Sequence, residues 1–189
     1  MMILGRSHVD ILGFLQWTVG DMAEIIQAEN GKEKPRRDSG YFTLYDAASI
    51  KGIPIIIFAV DVCPPEKREQ YFAYSQEKAV RLAQNSEHIS SWQSRNPEKN
   101  CYGGAIRVGP AKNLIMSFSG LPELADEAVM LATALRLLWM SHDEAIQIAK
   151  ASNNQYFGKL AKKVWLDNPN YISTEKLDEL LAYLEKCEL

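Results

Sequence analysis

The sequence lacks most of the features that mark secreted, membrane-spanning and disulfide-rich proteins. Its three cysteines are odd in number and widely spaced, with neither a CxxC pair nor zinc-ligand spacing. No apolar run reaches about 18 residues, and Arg6, His8 and Asp10 interrupt the N-terminal segment, so neither a membrane span nor a signal peptide is predicted. We therefore expect a cytoplasmic protein with no membrane partner.

Positive charge is also scarce. The 21 lysine and arginine residues are outnumbered by 24 acidic residues, and the resulting net charge of −3 lacks the basic surplus that phosphate-backbone binding needs. The longest basic cluster, residues 32–37, is interrupted by Glu33 and Pro35 and is typical of a solvated loop. A nucleic-acid partner is therefore not expected.

Local patterns divide the chain into helices and strands. Capping boxes at Ser7 with Asp10 and at Ser141 with Glu144 predict two helix starts. Apolar residues at helical spacing predict helices at about 8–29, 66–84, 122–138 and 174–187. Strands are predicted at 41–47 and 53–62, with a hairpin formed by AIRVG and NLIMSFSG. Residues 1–140 are thus predicted to form a mixed core, and residues 141–189 a helical extension packed on that core or on a sister subunit.

One predicted strand is almost continuously apolar. The run IPIIIFAVDV, residues 53–62, is typical of a central strand covered on both faces. Its Pro54 is expected at the strand start, where a missing backbone N–H is tolerated.

Four segments follow one another along the first 138 residues. They are IPIIIFAVDV (53–62), EKAVRLAQ (77–84), YGGAIRV (102–108) and SFSGLPELADEAVMLA (117–132). This ordered set resembles the haem-degrading-like domain family, the GlcG-like proteins. The resemblance implies an α+β domain of profilin- or PAS-like type, with an antiparallel β-sheet flanked by helices, that assembles into homo-oligomers. It also implies binding of haem or another tetrapyrrole, although several members have no assigned role.

Two corners near the centre of the chain suit an anionic ligand. Gly103 and Gly104 permit backbone N–H groups to face a ligand, or else form a β-bulge or a plain turn. Ser119 and Gly120 precede a helix N-terminus that favours an anion, unless Ser119 simply caps the helix. A carboxylate or propionate bridging both corners would take its counter-charge from Lys78, which otherwise is a solvated helix lysine.

Side chains for metal or covalent chemistry are few. His88 is the best candidate metal ligand, for instance to a tetrapyrrole, although an ordinary loop histidine fits the same position. The sharpest pairing of nucleophile and base is Cys101 with His88. No GxSxG, P-loop or GxGxxG motif occurs. The sequence therefore favours a binding protein over an enzyme.

Two functions remain open from the sequence. The first is an accessory protein that holds a small anionic or tetrapyrrole ligand as a homo-oligomer, without catalysis of its own. The alternative is a structural or interaction protein whose core and helical tail bind a protein partner.

Overall fold

One antiparallel sheet carries helices on both of its faces. The computed structural model describes residues 2–31, 33, 36–48, 52–165, 175, 178, 179, 181 and 182. Within these residues the chain has an α+β fold in which helices flank the sheet, as predicted.

The helices begin where the sequence predicts. The helices of the described residues are α1 (His8–Asn30), α2 (Pro65–Gln84), α3 (Glu123–Arg136), α4 (His142–Ser152) and α5 (Gln155–Trp165), with 3-10 turns at Ser91–Ser94 and Pro97–Lys99. The capping box of Ser7 and Asp10 starts α1, and that of Ser141 and Glu144 starts α4, so both predictions are confirmed. Of the helix predicted at 174–187, residues 175, 178, 179, 181 and 182 are described and are helical.

The strands form two antiparallel sheets. They are β1 (Met2–Ile3), β2 (Arg6–Ser7), β3 (Gly40–Asp46), β4 (Ile53–Val60), β5 (Ala105–Val108) and β6 (Leu114–Ser119). β1 pairs with β2, and the larger sheet has the order β4-β3-β6-β5. The predicted hairpin is confirmed, because β5 and β6 pair antiparallel with Ala105 opposite Ser117.

Alternate residues of the strands contact different helices. Phe42, Met116 and Phe118 belong to the main apolar core, which also contains residues of α1 and α3. Ile115 and Tyr45 form a smaller cluster with residues of α2. The apolar cluster under α2 thus lies on one face of the sheet, and the main core with α1 and α3 lies on the other.

α3 is the central helix of the group that it forms with α1, α4 and α5. Every residue from Ala125 to Arg136 is buried, because the sheet, α1, α4 and α5 all contact this helix. Phe157 and Leu160 of α5 are fully buried in the same core. The segment after residue 140 thus packs directly on the α+β core as far as residue 165.

β4 differs from its prediction. The strand lies at the edge of the sheet, where Ile53 is 56% and Ile57 is 39% exposed, so the prediction of a central strand covered on both faces is wrong. The apolar run sets the strand, whereas the order of strands depends on long-range pairing, and β3 and β6 occupy the centre. Pro54 does lie at the strand start, opposite Tyr45, as predicted.

Candidate functional site

The two predicted corners lie at the same end of the sheet. The β5–β6 hairpin places the start of β5 beside the end of β6, and Phe118 N donates to Gly104 O at 3.1 Å. Lys78 reaches this point from α2, and its Nζ donates to Phe118 O at 2.9 Å. The structure therefore brings together Lys78, Gly104, Ser119 and, next in the chain, Gly120.

A cavity of about 290 Å³ lies between α2 and the start of α3. We call it the α2–α3 cavity. Three tyrosines line it: Tyr71, Tyr74 and Tyr102. Its polar lining includes Lys78, Ser119 and Asp126 as well as the cations Arg37 and Lys67. The cavity thus combines aromatic side chains with several charged groups.

A buried ion pair joins α2 to α3 at this cavity. Lys78 Nζ lies 2.7 Å from Asp126 Oδ2, and each residue is only 1% exposed. Burial raises the pKa of Asp126 to about 6, although Lys78 and the backbone N–H groups of Leu121 and Gly120 oppose that rise. The sequence predicts that Lys78 balances the charge of a ligand carboxylate. In the structure, the carboxylate of Asp126 pairs with Lys78 instead.

Gly104 leaves room for this ion pair. Its φ of +116° lies in the region that favours glycine. A Cβ at this position would lie 2.7 Å from Asp126 Cβ and 2.9 Å from Lys78 Nζ. Glycine is therefore required for the backbone to pass this close to the buried charges.

The backbone N–H of Gly103, the other glycine of this corner, also has a hydrogen-bond partner within the protein. Gly103 N donates to Glu123 Oε2 at 3.0 Å, and the guanidinium of Arg95 holds the same carboxylate, with Nη2 2.6 Å from Oε1. Although burial raises it, the pKa of Glu123 lies below its ordinary value because Arg95 and Gly103 donate to the carboxylate. The N–H of Gly103 therefore binds a side chain of α3.

The start of α3 is not capped by Ser119. The N-cap residue is Pro122, which makes no side-chain capping bond, so the capping interpretation of Ser119 is wrong. Instead, Leu121 N donates to Asp126 Oδ1 at 2.9 Å. Asp126 caps the turn from within the helix, which leaves Ser119 as part of the cavity lining.

Two exposed cations remain at the α2–α3 cavity. Arg37 and Lys67 form no ion pair with any carboxylate of the described residues, whereas neighbouring Arg36 pairs with Asp38 at 3.0 Å. Burial raises the pKa of Tyr71, and the charge of Arg37 partly offsets that rise. The sequence assigned Arg37 to a solvated loop, because nothing local indicates that the loop returns to α2.

His88 and Cys101 lie outside this lining. His88 follows the end of α2, where its carbonyl accepts from Arg107 Nε at 2.8 Å. Cys101 Sγ lies 3.6 Å from Lys99 O, and no hydrogen bond of the described residues joins the two side chains. In the described part of the chain, no three His, Cys, Asp or Glu side chains are clustered in a way that could hold a metal ion. The proposed dyad and the metal-ligand role of His88 remain predictions.

Comparisons with known proteins add no neighbour to this picture. The chain matches no protein-family model, no curated protein and no solved structure. Of the helices described, none has the length and apolar character needed to cross a membrane. The geometry of the α2–α3 cavity is therefore the basis for a proposed function.

Proposed function

We propose that the protein binds a small anionic ligand in the α2–α3 cavity, as an accessory binding protein rather than an enzyme. The observation that carries the proposal is the pair of cations, Arg37 and Lys67, which line the cavity without a carboxylate partner among the described residues. The other cavity charges are already balanced, since Lys78 pairs with Asp126 and Arg95 pairs with Glu123. A bound anion would complete the charge balance.

The shape and lining of the cavity favour a small organic anion. Pockets for drug-sized ligands span roughly 300–1,000 Å³, and this cavity, at about 290 Å³, lies at the lower limit. Tyr71, Tyr74 and Tyr102 offer ring faces for the apolar part of a ligand and hydroxyls for its polar atoms. A carboxylate or phosphate group would then bind Arg37 and Lys67. This size favours such a ligand over an enclosed tetrapyrrole.

We also propose that the chain is a cytoplasmic member of the haem-degrading-like family and acts as a homo-oligomer. The four ordered sequence segments that resemble this family support its membership. Within the described residues Cys63 and Cys101 form no disulfide, as is usual in the reducing cytoplasm, and this supports a cytoplasmic location.

Titration of the full chain with inorganic phosphate, benzoate and phenyl phosphate tests the proposal, with thermal denaturation and calorimetry as readouts. We expect the organic anions to bind and to raise the melting temperature. Arg37→Ala and Lys67→Ala should each weaken binding about tenfold, because each removes a charge-assisted hydrogen bond. Arg36→Ala is the matched control, because Arg36 is adjacent to Arg37 but already pairs with Asp38.

Three results would contradict the proposal. The first is no binding of any of the three anions, and the second is equal loss in the Arg36→Ala and Arg37→Ala variants. The third is a Soret shift with haemin at an affinity far above that of the small anions, which would make the ligand a tetrapyrrole instead.

A further inference from the structure

The two edges of the four-stranded sheet differ in how they are covered. At the β5 edge, Arg107 N donates to Ile89 O at 3.0 Å and Ser90 forms a β-bridge with Ile106, so a chain segment shields the strand. At the β4 edge, no strand or bridge within the described ranges pairs with the outer side. Among the described residues, the outer backbone edge of β4 therefore has no strand partner.

β4 also lacks the usual protection of a free edge. Natural edge strands carry charged side chains, are kept short or are covered, which prevents pairing with other chains. The eight residues of β4, IPIIIFAV, contain no charge. The register with β3 shifts once near Pro54, and from Ile56 to Val60 the strand is regular. Because it contains no proline, every residue of this stretch has a backbone N–H group that can donate to a neighbouring strand.

Exposed apolar side chains continue from β4 onto α2. Ile57 lies opposite Thr43, and Ala59 lies opposite Tyr41, so both face the α2 side of the sheet. On that side Phe72 is 43% exposed, and its ring contacts Tyr41 edge-to-face at 5.5 Å. The open edge is therefore flanked by an apolar surface.

We propose that β4 pairs with β4 of a second copy of this chain, antiparallel about a two-fold axis, to form one continuous sheet. Each copy has the same uncovered strand, and a single two-fold contact covers both. Identical strands without charge do not repel each other, and no charge on the strand selects a different partner. In the dimer β4 becomes a central strand, which accounts for its almost continuous apolar sequence. This interface specifies the homo-oligomer of the proposed function and does not involve the α2–α3 cavity.

Sedimentation velocity of the full chain at increasing concentration tests this interface. We expect the wild-type protein to form dimers or larger even-numbered assemblies. Ile57→Lys places two like charges at the paired edge and should raise the dimer dissociation constant about a hundredfold or more. Leu138→Lys is the matched control: Leu138 is 75% exposed and follows α3, so this variant should assemble like wild type.

Two further measurements keep the result interpretable. Circular dichroism should show that Ile57→Lys is folded, and Ile53→Lys, at a 56% exposed position, serves as the second variant if it is not. Amides of β4 should exchange more slowly as wild-type concentration rises, but not in the lysine variants. A monomeric wild type, or assembly unaffected by both β4 variants, would overturn the interface. Since anion binding is measured separately, either result leaves the cavity proposal standing.

Discussion

Two adjacent residues of α3 bury a carboxyl group in different ways. Asp126 faces the α2–α3 cavity and pairs with the ammonium of Lys78 at 2.7 Å. Glu127, 0% exposed, accepts from Asn154 Nδ2 at 3.0 Å in the turn between α4 and α5, from the hydroxyl of Ser152 at the end of α4, and from the hydroxyl of Ser90 before the 3-10 turn at Ser91–Ser94. One carboxyl group is therefore paired with a charge, and the other is surrounded by neutral donors.

The difference shows what a buried carboxyl group requires from its surroundings. Burial raises the pKa of both groups, to about 6 for Asp126, because the charged form loses hydration. Hydrogen bonds from neutral donors surround Glu127, whereas the buried ammonium of Lys78 has the carboxylate of Asp126 as a charged partner. As pH rises through the ordinary pKa of these carboxyls, the unfolded chain releases its protons first, so stability falls until the folded pKa is passed.

Removal of the charge partner should have the largest effect. Lys78→Met keeps a long side chain but leaves Asp126 buried without a cation. We expect the free energy of unfolding at pH 7 to fall by about 3–5 kcal/mol in urea denaturation. The loss should shrink at pH 4, because protonation of Asp126 removes the unpaired charge.

The double variant Lys78→Met with Asp126→Leu tests the cause of that loss. Without either charge, most of the lost stability should return, since an apolar pair often replaces a buried ion pair at little cost. A double variant as unstable as Lys78→Met alone would show that packing, rather than charge, dominates at this site.

Crowding the ion pair should have an intermediate effect. Gly104→Ala adds a methyl group 2.7 Å from Asp126 Cβ at a φ of +116°. Backbone strain and overpacking together should lower the free energy of unfolding by about 2–3 kcal/mol. Gly13→Ala in α1, whose added Cβ meets nothing within 4 Å, is the control and should raise it by about 0.5–1 kcal/mol. Equal effects of the two variants would argue against close packing at Gly104.

Substitution of the other carboxyl group should have the smallest effect. Glu127→Gln keeps the shape of the side chain and removes its titration, so we expect a change within about 1 kcal/mol at pH 5. As pH rises above the ordinary pKa of a glutamate, the wild type should lose more stability than the variant, because the raised pKa of Glu127 favours the folded state only while that carboxyl is protonated, and a glutamine does not titrate. Parallel pH profiles of the two proteins would show that Glu127 does not titrate in this range.

The sequence predicts the local elements of the fold well, for local reasons. The capping boxes at Ser7 and Ser141 need only residues three positions apart, and helical periodicity appears within one segment. The position of β4 at the sheet edge depends on which distant strands pair, so the apolar run alone led to the wrong position. The four strands of the larger sheet were thus predictable from the sequence, whereas their order and the short strands β1 and β2 were not.

The candidate site was predictable in part for the same reason. Lys78, Gly104 and Ser119 meet because a hairpin and one helix bring them together, and the sequence indicated both. Nothing in the local sequence marks Asp126 as a buried ion-pair partner, because Lys78 is 48 residues away. Arg37 belonged to a charged loop whose path no local pattern defines. Contacts between separate elements are thus the part that the sequence did not show.

The burial of α3 on all sides has a consequence for how the protein unfolds. Both the apolar and the polar residues of α3 from Ala125 to Arg136 are buried, and the sheet, α1, α4 and α5 each cover a part of the helix. Loss of any one of these neighbours exposes apolar residues such as Val129, Leu131 and Leu135, all buried in the core. Opening of α1, α4, α5 or the β5–β6 hairpin therefore exposes apolar surface of α3, and we expect these elements to unfold together with it.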